Sequence, residues 1–188
     1  MPPHPAPHLT PLWHYAAALR AQYGDVPDVD PEDGGAMARL LILLETPGPH
    51  IRRTNLVSAD NPSGTGRNLR RFLGAAGIAR QERVIWNAVP WVIHGGGRNR
   101  APRATEIREG LAELPQFLAL LPRLEVAVLA GRVAGMAVDT VSAARPGVAV
   151  LRMPHPSPTY VCTSPDVSRR IEAVLTDAAA LLGCGAGG

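Results

Sequence analysis

The chain has 188 residues with a formal net charge of +3, and 46% of the residues are hydrophobic. This length and composition are typical of a single globular domain with a substantial core, and they exclude a disordered chain. All 19 basic residues are arginine. Since lysine is absent, no lysine amine can form a Schiff base and no P-loop lysine exists.

Cysteine usage and hydropathy exclude further classes of protein. Two cysteines, Cys162 and Cys184, are too few for a cysteine-ligated iron–sulfur cluster, a Cys₄ zinc site or a disulfide framework. No signal peptide or membrane-length apolar run is visible, so we expect a soluble cytoplasmic protein with no membrane partner. The mildly basic balance permits a polyanionic partner without demanding one.

Periodicity predicts helices that alternate with strands along the chain. The predicted helices span residues 12–23, 67–76, 105–121, 131–144 and 164–182, and the predicted strands span residues 39–45, 84–89, 124–130 and 148–153. Thr65 is a candidate N-cap of the second helix. Alternation of this kind predicts an α/β fold with a parallel sheet that is covered by helices on both faces.

The same pattern predicts one main domain. Residues 1–24 form an N-terminal segment and helix, residues 25–183 form the α/β domain, and residues 184–188 form a glycine-rich disordered tail. We see no internal repeat and no second domain.

Three of the predicted strands have a polar residue at or near the carboxyl end, next to apolar residues or prolines. Glu45 ends the first strand before Thr-Pro-Gly-Pro, Asn87 lies within the apolar second strand, and His155 stands between two prolines after the fourth strand. Because the carboxyl ends of parallel strands meet at one edge of a sheet, we expect these three side chains to converge. The prolines favour a functional histidine because they fix its backbone.

Each of these residues also has a structural interpretation. A glutamate at a strand end is often a solvated boundary residue, and a buried asparagine often satisfies loop backbone groups. His155 could be a plain surface residue. The loop after the second strand carries Arg98, Arg100 and Arg103, which could form only a solvated basic loop. The chain has no GxGxxG after the first strand, no GxSxG and no HExxH.

In these motifs the chain resembles the uracil-DNA glycosylase superfamily over about residues 29–182. The matching segments are LLETPGP (first active-site loop), VIWNAV (base-reading strand) and MPHPSP (second active-site loop). Two further phrases, SADNPSGTGRNL and WNAVPW, resemble a bacterial branch without the iron–sulfur cysteines. The resemblance implies a three-layer α/β/α sandwich with a short, roughly four-stranded parallel sheet.

The resemblance implies a DNA glycosylase that extrudes a damaged base and cuts its glycosidic bond. By analogy His155 would donate to the leaving base, Glu45 would orient a water and stabilise the cationic sugar, and Asn87 would read the base edge. The remaining implied residues are Thr46, Gly48 and Asn61 at the base, and Pro156, Ser157, Tyr160, Arg98, Arg100 and Arg103 on the DNA. Tyr160, or less plausibly by size Thr159, would fill the vacated stack.

Two departures from the best-known uracil enzymes leave the preferred base open. Thr46 stands where those enzymes carry a water-activating Asp, and Gly48 stands where they carry a Tyr that bars thymine's methyl group. Uracil, hypoxanthine, xanthine and mismatch-derived bases all remain candidates. We expect a monofunctional, monomeric enzyme without metal or cofactor. Two other hypotheses are a nucleic-acid-binding module that has lost the reaction and a hydrolase of free nucleosides.

Overall fold

The computed structural model describes residues 7–49, 51–94 and 100–183, which form six strands, six α-helices and several short 3-10 helices. The helices are α1 (Thr10–Tyr23), α2 (Gly64–Ala75), α3 (Ala104–Ala119), α4 (Val138–Ala144), α5 (Pro158–Val161) and α6 (Pro165–Leu181). The strands are β1 (Asp28–Val29), β2 (Leu40–Leu44), β3 (Leu56–Val57), β4 (Arg83–Asn87), β5 (Val126–Ala130) and β6 (Ala149–Met153).

The main sheet has four parallel strands in the order β4-β2-β5-β6. Every residue of β2, β4 and β5 is buried, whereas β6 lies at one edge and is largely half-buried. Continuous apolar runs such as Leu40–Leu44 are typical of strands that are covered on both faces. The predicted α/β class and the short parallel sheet flanked by helices are confirmed.

The register of this sheet brings the polar strand ends to one edge. Leu44 pairs with Asn87, and Ala130 pairs with Met153. The ladder continues one step beyond the strands, where Val89 N donates to Glu45 O at 3.0 Å. The residues that follow β2, β4, β5 and β6 therefore lie side by side at the carboxyl edge.

A second sheet, which the sequence did not predict, consists of β1 and β3 in parallel. Each strand has only two residues, too few for a periodic signal. A buried cluster stabilises the pair: Asp30 accepts a hydrogen bond from the Ser58 hydroxyl and lies 2.7 Å from Arg80 Nη2. Residues 25–35 and 51–65, which lie between the predicted helices and strands, therefore contain a small structured unit.

Serine side chains cap the N-termini of two helices. Ser63 caps α2 because its Oγ accepts from Gly66 N at 3.0 Å, so the predicted Thr65 cap was wrong by two residues. Ser164 caps α6 because its Oγ accepts from Asp166 N at 3.1 Å, and Pro165 occupies the first turn, where proline is tolerated.

Helix α1 packs into the core beside the main sheet. Tyr15 packs against the stacked rings of Trp86 and Phe117, with ring centroids at 6.1 and 5.7 Å, and its hydroxyl donates to Glu113 O at 2.9 Å. The predicted boundary near residue 24 stays a prediction, and residues 1–6 and 184–188 lie outside the described part. None of the described helices is both long and apolar enough to cross a membrane.

Candidate active site

A cavity of about 430 Å³ opens at the carboxyl edge of the main sheet. Glu45, Asn87 and His155, which are far apart in sequence, all line it. Its volume lies within the range of small-molecule sites, roughly 300–1,000 Å³. The structure therefore brings together the three residues that the sequence analysis singled out; their roles stay predictions.

Glu45 is held by the turn that follows β5. Its Oε1 accepts a hydrogen bond from the backbone N–H of Val133 at 2.9 Å. The side chain stays partly exposed to the cavity. The carboxylate is therefore fixed at one oxygen, while the other has no hydrogen-bond partner among the described residues.

Gly131 lies between the two predicted catalytic side chains. Its φ of +97° favours glycine, and a Cβ placed there would lie 2.5 Å from Glu45 Oε1 and 3.1 Å from His155 Cβ. Its N–H donates to Met153 O at 2.9 Å. The sequence pattern indicates only the start of a helix at residue 131, since the close approach of Gly131 to Glu45 and His155 is invisible without the fold.

His155 is held in one tautomer by its own loop. Its Nδ1 accepts the backbone N–H of Ser157 at 3.1 Å, which leaves the proton of the neutral imidazole on Nε2. Burial lowers the pKa of His155, and the nearby Glu45 carboxylate partly opposes this shift. The ring is therefore a neutral donor near pH 7. Asn68 Nδ2 donates to Pro156 O at 2.8 Å and so fixes the same loop to α2.

Asn87 has a buried amide without a protein partner. The residue is only 2% exposed, and within the described chain neither Oδ1 nor Nδ2 forms a hydrogen bond. An unsatisfied buried group costs about 1–3 kcal/mol, which a ligand with matching donor and acceptor groups would recover. The alternative that this amide satisfies loop backbone groups is not seen in the described residues.

The other predicted base-binding residues differ in whether their side chains are already hydrogen-bonded within the protein. Thr46, Gly48 and Asn61 all line the cavity. A Cβ at Gly48 would meet nothing within 4 Å, so the missing side chain leaves open space. The Asn61 amide is already engaged, since Nδ2 donates to Leu56 O at 2.8 Å and Oδ1 accepts from Thr54 Oγ1 at 2.6 Å.

The second active-site loop presents an aromatic ring at the mouth of the cavity. Tyr160 is 51% exposed, and its ring centroid lies 6.3 Å from that of His155. Ser157 and Thr159 also line the cavity, whereas Pro156 is buried beneath the loop. Gly64 of α2 approaches Pro158 so closely that a Cβ would lie 2.2 Å from its Cγ.

The three predicted phosphate-binding arginines differ in exposure and in whether they are already paired. Arg98 lies outside the described residues, and Arg103 is exposed. Arg100 lines the cavity, but its guanidinium binds both carboxylate oxygens of Glu106 at 2.8 and 2.6 Å. This pairing lowers the pKa of Glu106 to about 2. Phosphate contact by Arg100 stays a prediction, because the pairing gives it a structural use as well.

His94 joins two loops of the cavity and was not singled out from the sequence. It is 6% exposed, its Nε2 lies 3.0 Å from Pro47 O, and its Nδ1 accepts from Arg100 N at 3.3 Å. The neutral tautomer with the proton on Nε2 satisfies both contacts. His94 thus anchors the first active-site loop.

Within the described residues, no group of three His, Cys, Asp or Glu side chains is arranged to hold a metal ion. The side chains that line the cavity include one carboxylate, one amide without a partner among the described residues and one neutral imidazole. This set is suited to orienting a water and to hydrogen-bonding a polar heterocycle.

Comparison with known proteins identifies a family. The model of the uracil DNA glycosylase superfamily matches residues 31–179. A solution NMR structure of a candidate uracil DNA glycosylase from Methanosarcina acetivorans has a similar fold, with a TM-score of 0.50 and 16% identity over 76% of this chain and 91% of that chain. At this identity the likeness shows the fold alone. No curated protein matches the chain.

Proposed function

The chain belongs to the uracil DNA glycosylase superfamily, and from this premise we propose that it is a monofunctional DNA glycosylase. It extrudes uracil or another deaminated base, hydrolyses the N-glycosidic bond, and leaves an abasic site for base excision repair. The protein acts as a monomer without metal or cofactor. A lysine-based lyase step is excluded because the chain has no lysine.

Asn87 and His155 act on the leaving base. The unpaired Asn87 amide supplies one donor and one acceptor for the edge of the extruded base. Breaking the glycosidic bond moves its electron pair onto the base, which becomes an anion. The Nε2–H of His155 donates to an oxygen of that anion, and a fixed donor in a partly buried site lowers the cost of the developing charge.

Glu45 acts on the sugar and the water. As the bond breaks, C1′ of the deoxyribose becomes oxocarbenium-like, and the carboxylate stabilises its positive charge. A water bound to the oxygen of Glu45 that Val133 leaves free attacks C1′ and gives its proton to the carboxylate. The products are an abasic sugar and a free base, which takes a proton from solvent.

The observation that carries the proposal is the bare amide of Asn87. Neither polar atom finds a partner among the described residues, and Asn87 lines a cavity that is also lined by a neutral imidazole and a carboxylate. A protein retains a buried unsatisfied amide at a cost in stability, and ligand recognition accounts for that cost.

The experiment is a panel of oligonucleotides that carry uracil, hypoxanthine, xanthine or a thymine mismatch, in single and double strands. Incubation followed by alkali should break the strand at one or more of these bases. Glu45→Gln, which keeps the shape and the contact to Val133, should lose the cleavage while retaining binding. No cleavage of any substrate by the wild-type protein would contradict the glycosylase.

The presence of Thr46 in place of the usual Asp favours one second candidate, a binding module of the same family without activity. That protein would bind the modified strands with an affinity that depends on Asn87, yet would release no base. A hydrolase of free nucleosides would instead show no fall in binding with salt, since no phosphates would be neutralised. The same panel, with salt titration, separates all three.

A further inference from the structure

A second groove of about 470 Å³ lies next to the candidate active site. It runs between the first turns of α3 and the turn that follows β5, so it opens on the same edge of the sheet. Its walls are Pro102, Ala104, Ile107, Arg108, Leu111, Arg132 and Met136. Pro102 also lines the active-site cavity, so the two depressions adjoin.

The groove combines an apolar floor with two free cations. Met136 is 53% exposed, and Ile107, which lines the same groove, is 6% exposed. Arg108 and Arg132 are both exposed, and neither has an ion pair or hydrogen bond with the described residues. Arg100, by contrast, is already bound to Glu106 and to the backbone carbonyl of Ile93.

The acid on the first turn of α3 is already paired, because Arg100 binds both carboxylate oxygens of Glu106. Neither Arg108 nor Arg132 forms an ion pair with an acid among the described residues. The two arginines therefore present positive charge to whatever fills the groove.

We propose that this groove holds the stretch of DNA strand next to the extruded nucleotide, with Arg108 and Arg132 on its phosphates and a base against Met136. This inference rests on the proposed function. A strand alternates anionic phosphates with flat apolar bases, and cations around an apolar floor complement both. Arg132 also lies between Gly131 and Val133, the two residues that contact Glu45. A phosphate on Arg132 is therefore positioned by the turn that positions the carboxylate.

Salt titration of binding tests the groove. Wild-type affinity for a single-stranded oligonucleotide is measured by fluorescence anisotropy at several salt concentrations, beside Arg108→Ala, Arg132→Ala and Met136→Ala. Each arginine variant should reduce the slope of log affinity against log salt by ~0.7, the value per phosphate contact on single strands. Met136→Ala should weaken binding severalfold without changing the slope.

Arg123→Ala is the matched control. Arg123 is equally exposed but precedes β5, so it lies at the opposite, amino edge of the sheet. Its slope should equal that of the wild type, and thermal unfolding should confirm that all four variants are folded.

Cleavage separates this inference from the proposed function. On a long uracil-containing strand the two arginine variants should lose affinity, whereas on a strand trimmed close to the uracil they should match the wild type. If the wild-type protein cleaves DNA but both arginine variants keep the wild-type slope of log affinity against log salt, the proposal that this groove binds DNA is wrong. The proposed glycosylase activity is not affected by that result. Failure of the wild-type protein to bind or cleave any strand would overturn both.

Discussion

The Oε1 atom of Glu45 lies 2.5 Å from the point that a Cβ of Gly131 would occupy. His155 Cβ lies 3.1 Å from the same point. The two predicted catalytic residues can therefore approach each other this closely only because Gly131 has no side chain. Real side chains do not tolerate such contacts, and any larger residue at this position must displace the carboxylate, the imidazole or the turn between them.

Gly131→Ala should therefore lower the rate of base release far more than it lowers stability. A displacement of about 1 Å at a reacting group can cost about 100-fold in rate. The control is Gly147→Ala, because Gly147 has a similar φ of +94° but nothing within 4 Å of its Cβ position. Both variants carry the strain of a left-handed alanine, roughly 1–2 kcal/mol, and only the first disturbs the site. Equal single-turnover rates for the two would contradict this role of Gly131.

Asn87→Leu should change activity and stability in opposite directions. Loss of the amide should cost ~3 kcal/mol in transition-state binding, as for a deleted oxyanion donor. Because the amide is unsatisfied in the free protein, an apolar residue of similar shape should raise the free energy of unfolding by about 1 kcal/mol. Urea denaturation and single-turnover cleavage give the two values. A destabilised variant would mean that the amide has a structural partner.

The tautomer of His155 depends on the backbone N–H of Ser157, and proline can remove it. Ser157 has φ −69°, which proline adopts without strain. Ser157→Pro should allow the imidazole proton to move to Nδ1 and should lower the cleavage rate by about tenfold, the worth of a hydrogen bond of roughly 1–1.5 kcal/mol. Ser157→Ala keeps the N–H and should keep the wild-type tautomer, so its cleavage rate is the baseline against which the proline variant is compared. Nitrogen NMR of the imidazole should show Nε2–H in the wild type and a tautomer mixture in the proline variant.

Gly48 should decide how large a base can enter. Its φ is not in the left-handed region and its Cβ would meet nothing within 4 Å, so neither backbone nor packing requires glycine there. Gly48→Tyr should fill part of the cavity and abolish cleavage of the bulkier bases while uracil is still released. Gly48→Ala is the control and should keep the wild-type range. The idea is wrong if the wild-type protein and the tyrosine variant release the same bases in the same ratio.

Asp33 should make stability fall as pH rises. Burial raises the pKa of Asp33 from 3.8 to about 7, although Arg83 and Arg80 nearby oppose the shift. Between these two values the folded protein holds a proton that the unfolded chain has lost, so the free energy of unfolding decreases as pH rises through this window, by up to ~1.4 kcal/mol per unit.

The Asp33→Asn variant has no titratable carboxyl group at this position. Its free energy of unfolding should therefore fall less steeply as pH rises than that of the wild type. Urea denaturation from about pH 4 to about pH 8 measures both curves. Parallel curves would show that Asp33 is charged throughout in the folded state.

Much of the site was predictable from local sequence. The apolar run before Glu45, the asparagine within an apolar strand and the histidine between prolines are local signals, and parallel strands necessarily bring their carboxyl ends to one edge. Helix caps and short strands were less predictable: Ser63 rather than Thr65 caps α2, and two-residue strands carry no periodic signal.

The amino-acid sequence by itself determined the order of strands and helices, the family motifs and the chemical types at the strand ends, because each depends on neighbouring residues. Only the tertiary structure decided that Val133 N–H holds Glu45 across 88 positions, that Gly131 separates Glu45 from His155, and that Arg100 pairs with Glu106. It also decided that the Asn87 amide stays unpaired within the described chain. These features are contacts between segments that are far apart in sequence and come together only when the parallel strands pair. No local sequence pattern encodes them.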